Sequence, residues 1–217
     1  MPSEAPCDCP GCPNVFSRDE AEKDLERYRD KGPDPTTKAL IEAIRALGIE
    51  GATVLDIGGG IGAIQLDLLE AGAASTLSVD ASPDYVAVAQ AEAARRGFGD
   101  RTRHLNGDFA AMAAEIEPAD IVTLDKVVCC YPDLSLLIGR SVEHARRVIG
   151  LVYPRDADWV RGVAAVLNAG ARLFRSPTRF HIHRMEVADR LIREAGFEAQ
   201  PVRRGLFWQV VLYVRPA

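Results

Sequence analysis

Residues 54–63 read Val-Leu-Asp-Ile-Gly-Gly-Gly-Ile-Gly-Ala, an apolar run that leads into a glycine-rich turn. The run predicts a buried strand over Thr53–Ile57, and the residues after the turn predict a helix over Ile64–Glu70. Glycine lets the backbone come close to a ligand, and a helix N-terminus offers unpaired N–H groups. Because ligands in open α/β sheets lie at the carboxyl ends of strands, this stretch predicts a nucleotide-like ligand.

The alternation of short apolar runs with amphipathic helices continues toward the C-terminus. This alternation predicts a parallel sheet with helices on both faces, an α/β fold of the Rossmann-like, doubly wound type. Two runs joined by a turn at Gly205 predict a terminal antiparallel hairpin. The other predicted strands are Thr76–Val79, Arg103–Asn106, Asp120–Leu124, Val148–Tyr153, Glu198–Val202 and Trp208–Val214; the other helices are Pro83–Arg96, Ala110–Ile116, Leu134–Arg146, Ala157–Leu173 and Met185–Ala195.

The first 50 residues are predicted to form a cysteine-containing tail and a helical cap, and residues 51–217 the ligand-binding domain. Ser17-Arg18-Asp19-Glu20 has the form of a capping box, which predicts a charged helix that continues to about Asp30. A second helix is predicted from apolar side chains that share one face, namely Leu40, Ile41, Ile44 and Leu47.

Two ligand classes compete for the glycine-rich loop. Gly58, Gly60 and Ala63 fit the dinucleotide fingerprint, which would make the chain an NAD(P)-dependent oxidoreductase. Asp56, Gly58, Gly60 and Gly62 together fit a loop that binds S-adenosylmethionine. An anion at Asp56 suits a ligand that carries an ammonium group and poorly suits a pyrophosphate, so S-adenosylmethionine is favoured.

Acidic residues follow the next three predicted strands. Asp80 follows the second strand and has two acceptor oxygens for ribose hydroxyls. Asp108 and Phe109 follow the third strand, where a carboxylate can accept from an adenine amino group and an aromatic ring can form an apolar wall. Asp125 ends the fourth strand, beside the expected position of the methyl group. Their placement after successive strands predicts one cofactor site.

These motifs resemble those of class I S-adenosylmethionine-dependent methyltransferases over about residues 35–217. The resemblance implies a seven-stranded sheet whose last strand is antiparallel. It also implies that Asp56, Gly58, Gly60 and Gly62 line the methionine and ribose, that Asp80 holds the ribose, and that Asp108 and Phe109 border the adenine. Residues 175–214, above all Ser176–His183, are similar to the C-terminal part of magnesium-protoporphyrin O-methyltransferases.

Methyl transfer is an in-line displacement, and an oxygen nucleophile can require a general base. His181 and His183 precede a helix in the region that often forms the acceptor pocket of these enzymes, so we predict a substrate role for them, with pairing to a backbone carbonyl as the alternative. Tyr131 follows the fourth strand and is the third candidate. The Asn-Pro-Pro-Tyr type of motif is absent, which disfavours nucleobase N-methylation.

Five cysteines leave a metal or redox role open. Cys7, Cys9 and Cys12 are one ligand short of a closed zinc site, and the fourth would have to come from Cys129, Cys130 or a histidine. Burial is the commonest fate of free cysteine, so zinc is not predicted. A metal- or redox-responsive binding protein on the same fold stays an alternative to an enzyme.

Composition limits the remaining choices. The chain has 217 residues, is 47% hydrophobic, and carries a net charge of −5, which excludes whole-chain disorder. From Ala171 onward there are nine Arg and no Lys against four acids. Such a basic segment could meet an anionic acceptor, although arginine tips that solvate helix faces are the favoured interpretation. A nucleic-acid binder would be basic throughout, so nucleic acid is not expected as a partner. Without a membrane span or a signal peptide in the sequence, we expect a cytoplasmic protein with a small, anionic or aromatic acceptor.

Overall fold

A computed structural model of the protein describes residues 16–173, 181 and 183–216. Its centre is a seven-stranded sheet in the order β3-β2-β1-β4-β5-β7-β6. β7 is antiparallel to both β5 and β6, and the other pairs are parallel, so the predicted fold class is confirmed. The strands are β1 Thr53–Ile57, β2 Ser75–Asp80, β3 Thr102–Asn106, β4 Ala119–Asp125, β5 Ala145–Pro154, β6 Glu198–Arg204 and β7 Trp208–Val214.

Helices cover both faces of the sheet. They are α1 Arg18–Lys31, α2 Pro35–Arg45, α3 Ala63–Glu70, α4 Pro83–Arg95, α5 Phe109–Met112, α6 Leu134–Glu143, α7 Asp158–Leu173 and α8 Met185–Glu194. Alternate residues of each central strand belong to different cores, because successive side chains point to opposite faces. One core packs α5, α6 and α8 against the sheet, and the other packs α2 and α3. No described helix is long and apolar enough to cross a bilayer.

The cap helix α1 is fixed to α3 and α4 by both apolar and polar contacts. Leu25 and Tyr28 pack against Tyr85 and neighbouring side chains of the main domain. Tyr28 donates to Asp67 at 2.7 Å. The Glu92 carboxylate on α4 is fully buried and accepts from Arg29 of the cap at 2.5 Å and from two arginines of its own helix. These contacts hold the cap over the carboxyl end of the sheet.

Two local predictions are wrong. Ser17 precedes α1, but its side chain makes no capping hydrogen bond, so the predicted capping box does not form. The predicted helix over Leu134–Arg146 ends at Glu143, and Ala145 already begins β5. The reason is tertiary: the imidazole of His144 lies 2.9 Å from the carbonyl of Ala113 and turns the chain into the sheet.

Candidate functional site

A cavity of about 430 Å³ lies at the carboxyl ends of the central strands, beneath the cap. Its volume falls in the range of small-molecule sites. All eight predicted cofactor residues except Gly62 line it, and Tyr131 lines it as well. The structure therefore brings together side chains that follow four separate strands.

The glycine-rich loop adopts backbone angles that favour glycine. Gly58, Gly60 and Gly62 have φ values of 65°, 54° and 84°, in the left-handed region. The N–H of Gly58 donates to the carbonyl of Val79 at 2.8 Å, which fixes the loop to β2. A Cβ on Gly58 would lie 2.3 Å from a methyl carbon of Val127, whereas a Cβ on Gly60 would meet only Tyr85, at 3.9 Å. Gly60 therefore leaves open space in the cavity wall.

Asp56 lies beneath this loop and is 1% exposed. Its carboxylate accepts from Thr123 at 2.6 Å and from Gln65 at 3.2 Å. Burial raises the pKa of Asp56 to about 7, and the two hydrogen bonds oppose this shift only in part. The predicted anion beside the loop is thus a buried carboxyl group that holds β1, β4 and α3 together where they meet the cavity.

Asp80, at the end of β2, supports the loop from the other side. One oxygen accepts from the N–H of Gly60 at 2.9 Å, and the other accepts from the N–H of Ser82 at 2.8 Å. Burial raises the pKa of Asp80, although both backbone hydrogen bonds oppose it. Each carboxylate oxygen has a further lone pair, so Asp80 retains acceptor capacity for ribose hydroxyls.

Asp108 and Tyr131 meet on the wall that follows β3. Asp108 caps α5 by accepting from the N–H of Ala110 at 3.0 Å. The hydroxyl of Tyr131 donates to the same carboxylate, 3.1 Å from its nearer oxygen. Phe109 is 3% exposed and packs edge-on against His144. Tyr131, expected on the acceptor side, therefore shares a carboxylate with the predicted adenine wall.

Asp125 joins the cap to the end of β4. Its carboxyl group hydrogen-bonds with the hydroxyl of Thr37 on α2, and that hydroxyl also lies 2.8 Å from Asp34. One hydroxyl hydrogen cannot serve both acids. Burial raises the pKa of Asp125. At Asp34 burial acts in the same direction, but the hydrogen bond and charge of Lys126, together with hydrogen bonds from Thr36 and Thr37, outweigh it and hold the pKa well below its usual range. Thr37 therefore joins two acids whose pKa values are shifted in opposite directions, where the cap meets the end of β4.

The second oxygen of Asp125 lines the cavity without a hydrogen-bond partner among the described residues. The ammonium nitrogen of Lys126 lies 3.6 Å from it and is also paired with Asp34. Because the contact with Lys126 is longer than a hydrogen bond, this oxygen keeps acceptor capacity for a ligand group.

His181 and His183, the two predicted catalytic histidines, lie beside the cavity and are not among the described residues that line it. The N–H of His181 donates to the carbonyl of Cys129 at 2.8 Å, and the imidazole of His183 lies 2.8 Å from the carbonyl of Tyr131. Their rings stack with centroids 5.7 Å apart. Burial and the neighbouring ring lower the pKa of His181, which favours its neutral form. The pair is thus attached to the turn that carries Tyr131.

The cysteine hypothesis is tested only in part. Cys129 and Cys130 are free thiols with sulfur atoms 3.8 Å apart, and Cys130 lines the cavity. Within the part of the chain that the structure describes, no group of three or more metal-ligating side chains can hold a metal ion. Cys7, Cys9 and Cys12 lie outside that part.

The sequence predicts that the N-terminal helices close over the cofactor, but it does not show which cap residues line the cavity. Phe16, Arg27, Tyr28, Asp34 and Thr37 all line it. Phe16 stacks edge-on against Tyr85, and its carbonyl accepts from Ser82 at 2.7 Å. The only sequence signal for these residues was their position on a helical cap, which does not say which side chains face the site.

Part of the chain matches a known family of methyltransferase domains. Residues 54–149 match the family described as a methyltransferase domain. This match spans just under half of the chain, and the resemblance to S-adenosylmethionine-dependent methyltransferases stated from the motifs is confirmed.

A curated relative, ribosomal protein L11 methyltransferase of Enterobacter sp. (strain 638), is 31% identical over 109 residues. The alignment covers 50% of this chain and 36% of the relative, so the chain spans about a third of that protein's length.

Two solved structures share the fold over most of the chain. One is magnesium protoporphyrin IX methyltransferase (ChlM) from Synechocystis PCC 6803 with bound SAH, which has a TM-score of 0.65 at 21% sequence identity. The superposition covers 93% of this chain and 99% of the ChlM chain. The other is an O-methyltransferase family 2 protein from Planctomyces limnophilus DSM 3776 in complex with apigenin, which has a TM-score of 0.65 at 17% sequence identity. The superposition covers 92% of this chain and 62% of that protein's chain. Bound SAH in the ChlM structure agrees with the predicted cofactor, S-adenosylmethionine rather than NAD.

Proposed function

We propose that this protein is an S-adenosylmethionine-dependent methyltransferase that methylates a small molecule at oxygen. One observation carries the proposal: the glycine-rich loop, Asp80, Asp108 and Asp125 converge on a single cavity of about 430 Å³ under the cap. In this family, such a convergence at the carboxyl ends of the strands supports a bound cofactor and methyl transfer from it.

The residues fit the proposed cofactor on two independent grounds. Gly60 leaves open space where any Cβ would project, and Asp125 has a buried oxygen that lacks a hydrogen-bond partner among the described residues. Gly58, Gly60 and Gly62 would line the methionine part with Asp56 beneath them, Asp80 would hold the ribose, and Asp108 with Phe109 would border the adenine. When bound, the cofactor supplies an electrophilic methyl group on a sulfonium.

The chain's own residues have two tasks in this reaction. The first is to orient the acceptor and exclude water, because an in-line displacement depends mainly on the alignment of the reacting atoms. The second is to take the proton that the acceptor's oxygen releases. His181 and His183 are our candidates for the base, and Tyr131, whose carbonyl faces His183, links that pair to the cavity. The lowered pKa of His181 supports a neutral imidazole that is ready to accept a proton.

A small acceptor is supported by the closure of the cavity. The cap contributes Phe16, Tyr28 and Thr37 to its wall, and an ion pair between Lys126 and Asp34 joins the cap to the end of β4. A large substrate would have to displace these contacts, whereas a small one does not. The basic segment from Ala171 onward and the aromatic wall favour an anionic or aromatic acceptor.

Calorimetric titration of untagged protein with S-adenosylmethionine, S-adenosylhomocysteine and NADH tests the cofactor first. We expect micromolar affinity for the two sulfur ligands and none for NADH; NADH binding alone would refute the proposal. Transfer of a radiolabelled methyl group to hydroxylated or carboxylated aromatics and porphyrins then tests the acceptor. If the label enters ribosomal protein and enters none of these small molecules, the acceptor is a protein and the proposed small acceptor is wrong.

A further inference from the structure

Helix α7 exposes an apolar stripe to solvent. Trp159, Val163, Val166 and Leu167 are 45%, 42%, 73% and 49% exposed and lie at spacings of four, three and one. These spacings place the four side chains on one side of the helix. Val160 and Ala164, on an adjacent side, are 0% and 6% exposed, so the helix is anchored to the protein while its stripe stays uncovered.

The stripe continues onto the turn between β6 and β7. The ring of Trp159 packs edge-on against Phe207, with centroids 6.1 Å apart. The N–H of Arg155 donates to the carbonyl of Phe207 at 2.8 Å, which fixes the start of α7 to this turn. Leu206, at the tip of the turn, is 80% exposed. We call the four stripe residues together with Leu206 and Phe207 the apolar ridge.

Uncompensated positive charge borders the apolar ridge. Arg203 and Arg204 are exposed and immediately precede the turn. Among the described residues, the guanidinium of Arg203 donates to the carbonyl of Pro35, and that of Arg155 donates to backbone carbonyls of the turn. None of these three arginines forms an ion pair with a described carboxylate, whereas Arg161 on the same helix is paired with Asp156. An apolar surface beside guanidinium groups that have no described carboxylate partner suits a ligand that is both apolar and anionic.

We propose that the apolar ridge binds the surface of an anionic lipid bilayer. An interfacial helix of this kind lies in the plane of the membrane, with tryptophan and aliphatic side chains among the acyl chains and arginines at the phosphates. A second copy of the chain fits less well, because a two-fold interface through the ridge brings the same arginines of both copies together. The stripe also lies outside the wall of the cofactor cavity as described, so it is not a further part of that site.

Sedimentation with vesicles tests the proposal. Wild-type protein is expected to sediment with phosphatidylcholine vesicles that contain 30% phosphatidylglycerol and to remain in the supernatant with pure phosphatidylcholine. Val166→Glu and Leu206→Glu each place a carboxylate on the ridge without touching a core, and each is expected to lower partitioning at least about tenfold. Arg204→Glu is expected to lower it about thirtyfold, since it reverses one charge near the surface.

Ala114→Glu is the matched control, because it adds the same charge at an exposed position in the turn before β4, outside the apolar ridge. This variant is expected to partition like the wild type, and all four variants are expected to bind S-adenosylhomocysteine equally well. A Trp208→Phe background leaves Trp159 as the sole tryptophan, and its emission is expected to shift to the blue with anionic vesicles.

Three outcomes would overturn the proposal. The first is no sedimentation of the wild type with anionic vesicles, and the second is sedimentation that the ridge variants reduce no more than Ala114→Glu does. The third is a dimer by light scattering that Val166→Glu dissociates, which would assign the apolar ridge to a second copy.

Discussion

Replacement of Gly60 by alanine separates a role in cofactor binding from a role in folding. Gly60 has φ = 54°, where an L-residue costs about 1 kcal/mol. Its Cβ would meet no atom closer than Tyr85 at 3.9 Å, an ordinary contact, so the protein has no steric reason to unfold. Gly97 has φ = 78° with nothing within 4 Å of its Cβ and lies outside the cavity wall. Gly97→Ala therefore carries a similar backbone cost and serves as the control.

Both variants are expected to lower the melting temperature by similar amounts, about 2–4 °C for about 1 kcal/mol in a domain of this size. Only Gly60→Ala places a methyl group in the cavity. Overpacking of this kind costs about 1–3 kcal/mol, which corresponds to a loss of affinity of about 5- to 150-fold. Differential scanning fluorimetry measures the first effect, and calorimetry with S-adenosylhomocysteine measures the second.

Equal affinities of Gly60→Ala and Gly97→Ala for S-adenosylhomocysteine would refute the assignment of the loop to the cofactor. A much larger loss of stability in Gly60→Ala than in Gly97→Ala would refute the geometric argument instead. Gly58→Ala is unsuitable for this purpose, because its Cβ would clash with Val127 and alter the fold as well.

Three further predictions concern buried or paired groups. Burial raises the pKa of Asp56 to about 7, so the folded state retains a proton that the unfolded chain releases near pH 4, and stability falls as pH rises between these values. Gln65 donates its amide N–H to Asp56, so Asp56→Asn can donate to Gln65 Oε1, which has no partner among the described residues, once the Gln65 amide flips. The melting temperature of Asp56→Asn should therefore exceed that of the wild type at pH 8 and lose this advantage toward pH 4; a lower value at pH 8 would contradict this account. Hydrogen bonds from arginines outweigh burial and hold the pKa of Glu92 well below its usual range, so their stabilisation is present above about pH 4.5 and is lost as pH falls below it. Glu92→Gln should lower the melting temperature by about 4–8 °C at pH 7, for a loss of about 2 kcal/mol, and this difference should shrink as pH falls below about 4.5; an equal difference at pH 3 and pH 7 would exclude the charge as its cause. His183→Ala should lower kcat about 100-fold and leave cofactor affinity intact if His183 is the base; an unchanged kcat would assign His183 a structural role through its hydrogen bond with the carbonyl of Tyr131.

The sequence by itself determined the sheet, the glycine-rich loop and the acids that follow its strands. These features depend on local rules: apolar runs form buried strands, glycine occupies left-handed φ, and carboxyl ends of parallel strands meet at one edge. The position of Asp80 in the cavity wall follows from that edge alone, which is why it could be predicted without knowledge of distant contacts.

Only the tertiary structure decided how the site is closed and charged. Thr37 reaches Asp125 across 88 positions of sequence, and Lys126 reaches Asp34 across 92, distances at which no periodic pattern connects two residues. Asp56 was predicted as an anion because its residue type is acidic, yet burial beneath the loop raises its pKa toward neutrality. Charge, proton occupancy and closure depend on which groups become neighbours in the folded chain, and that is fixed by packing rather than by local sequence.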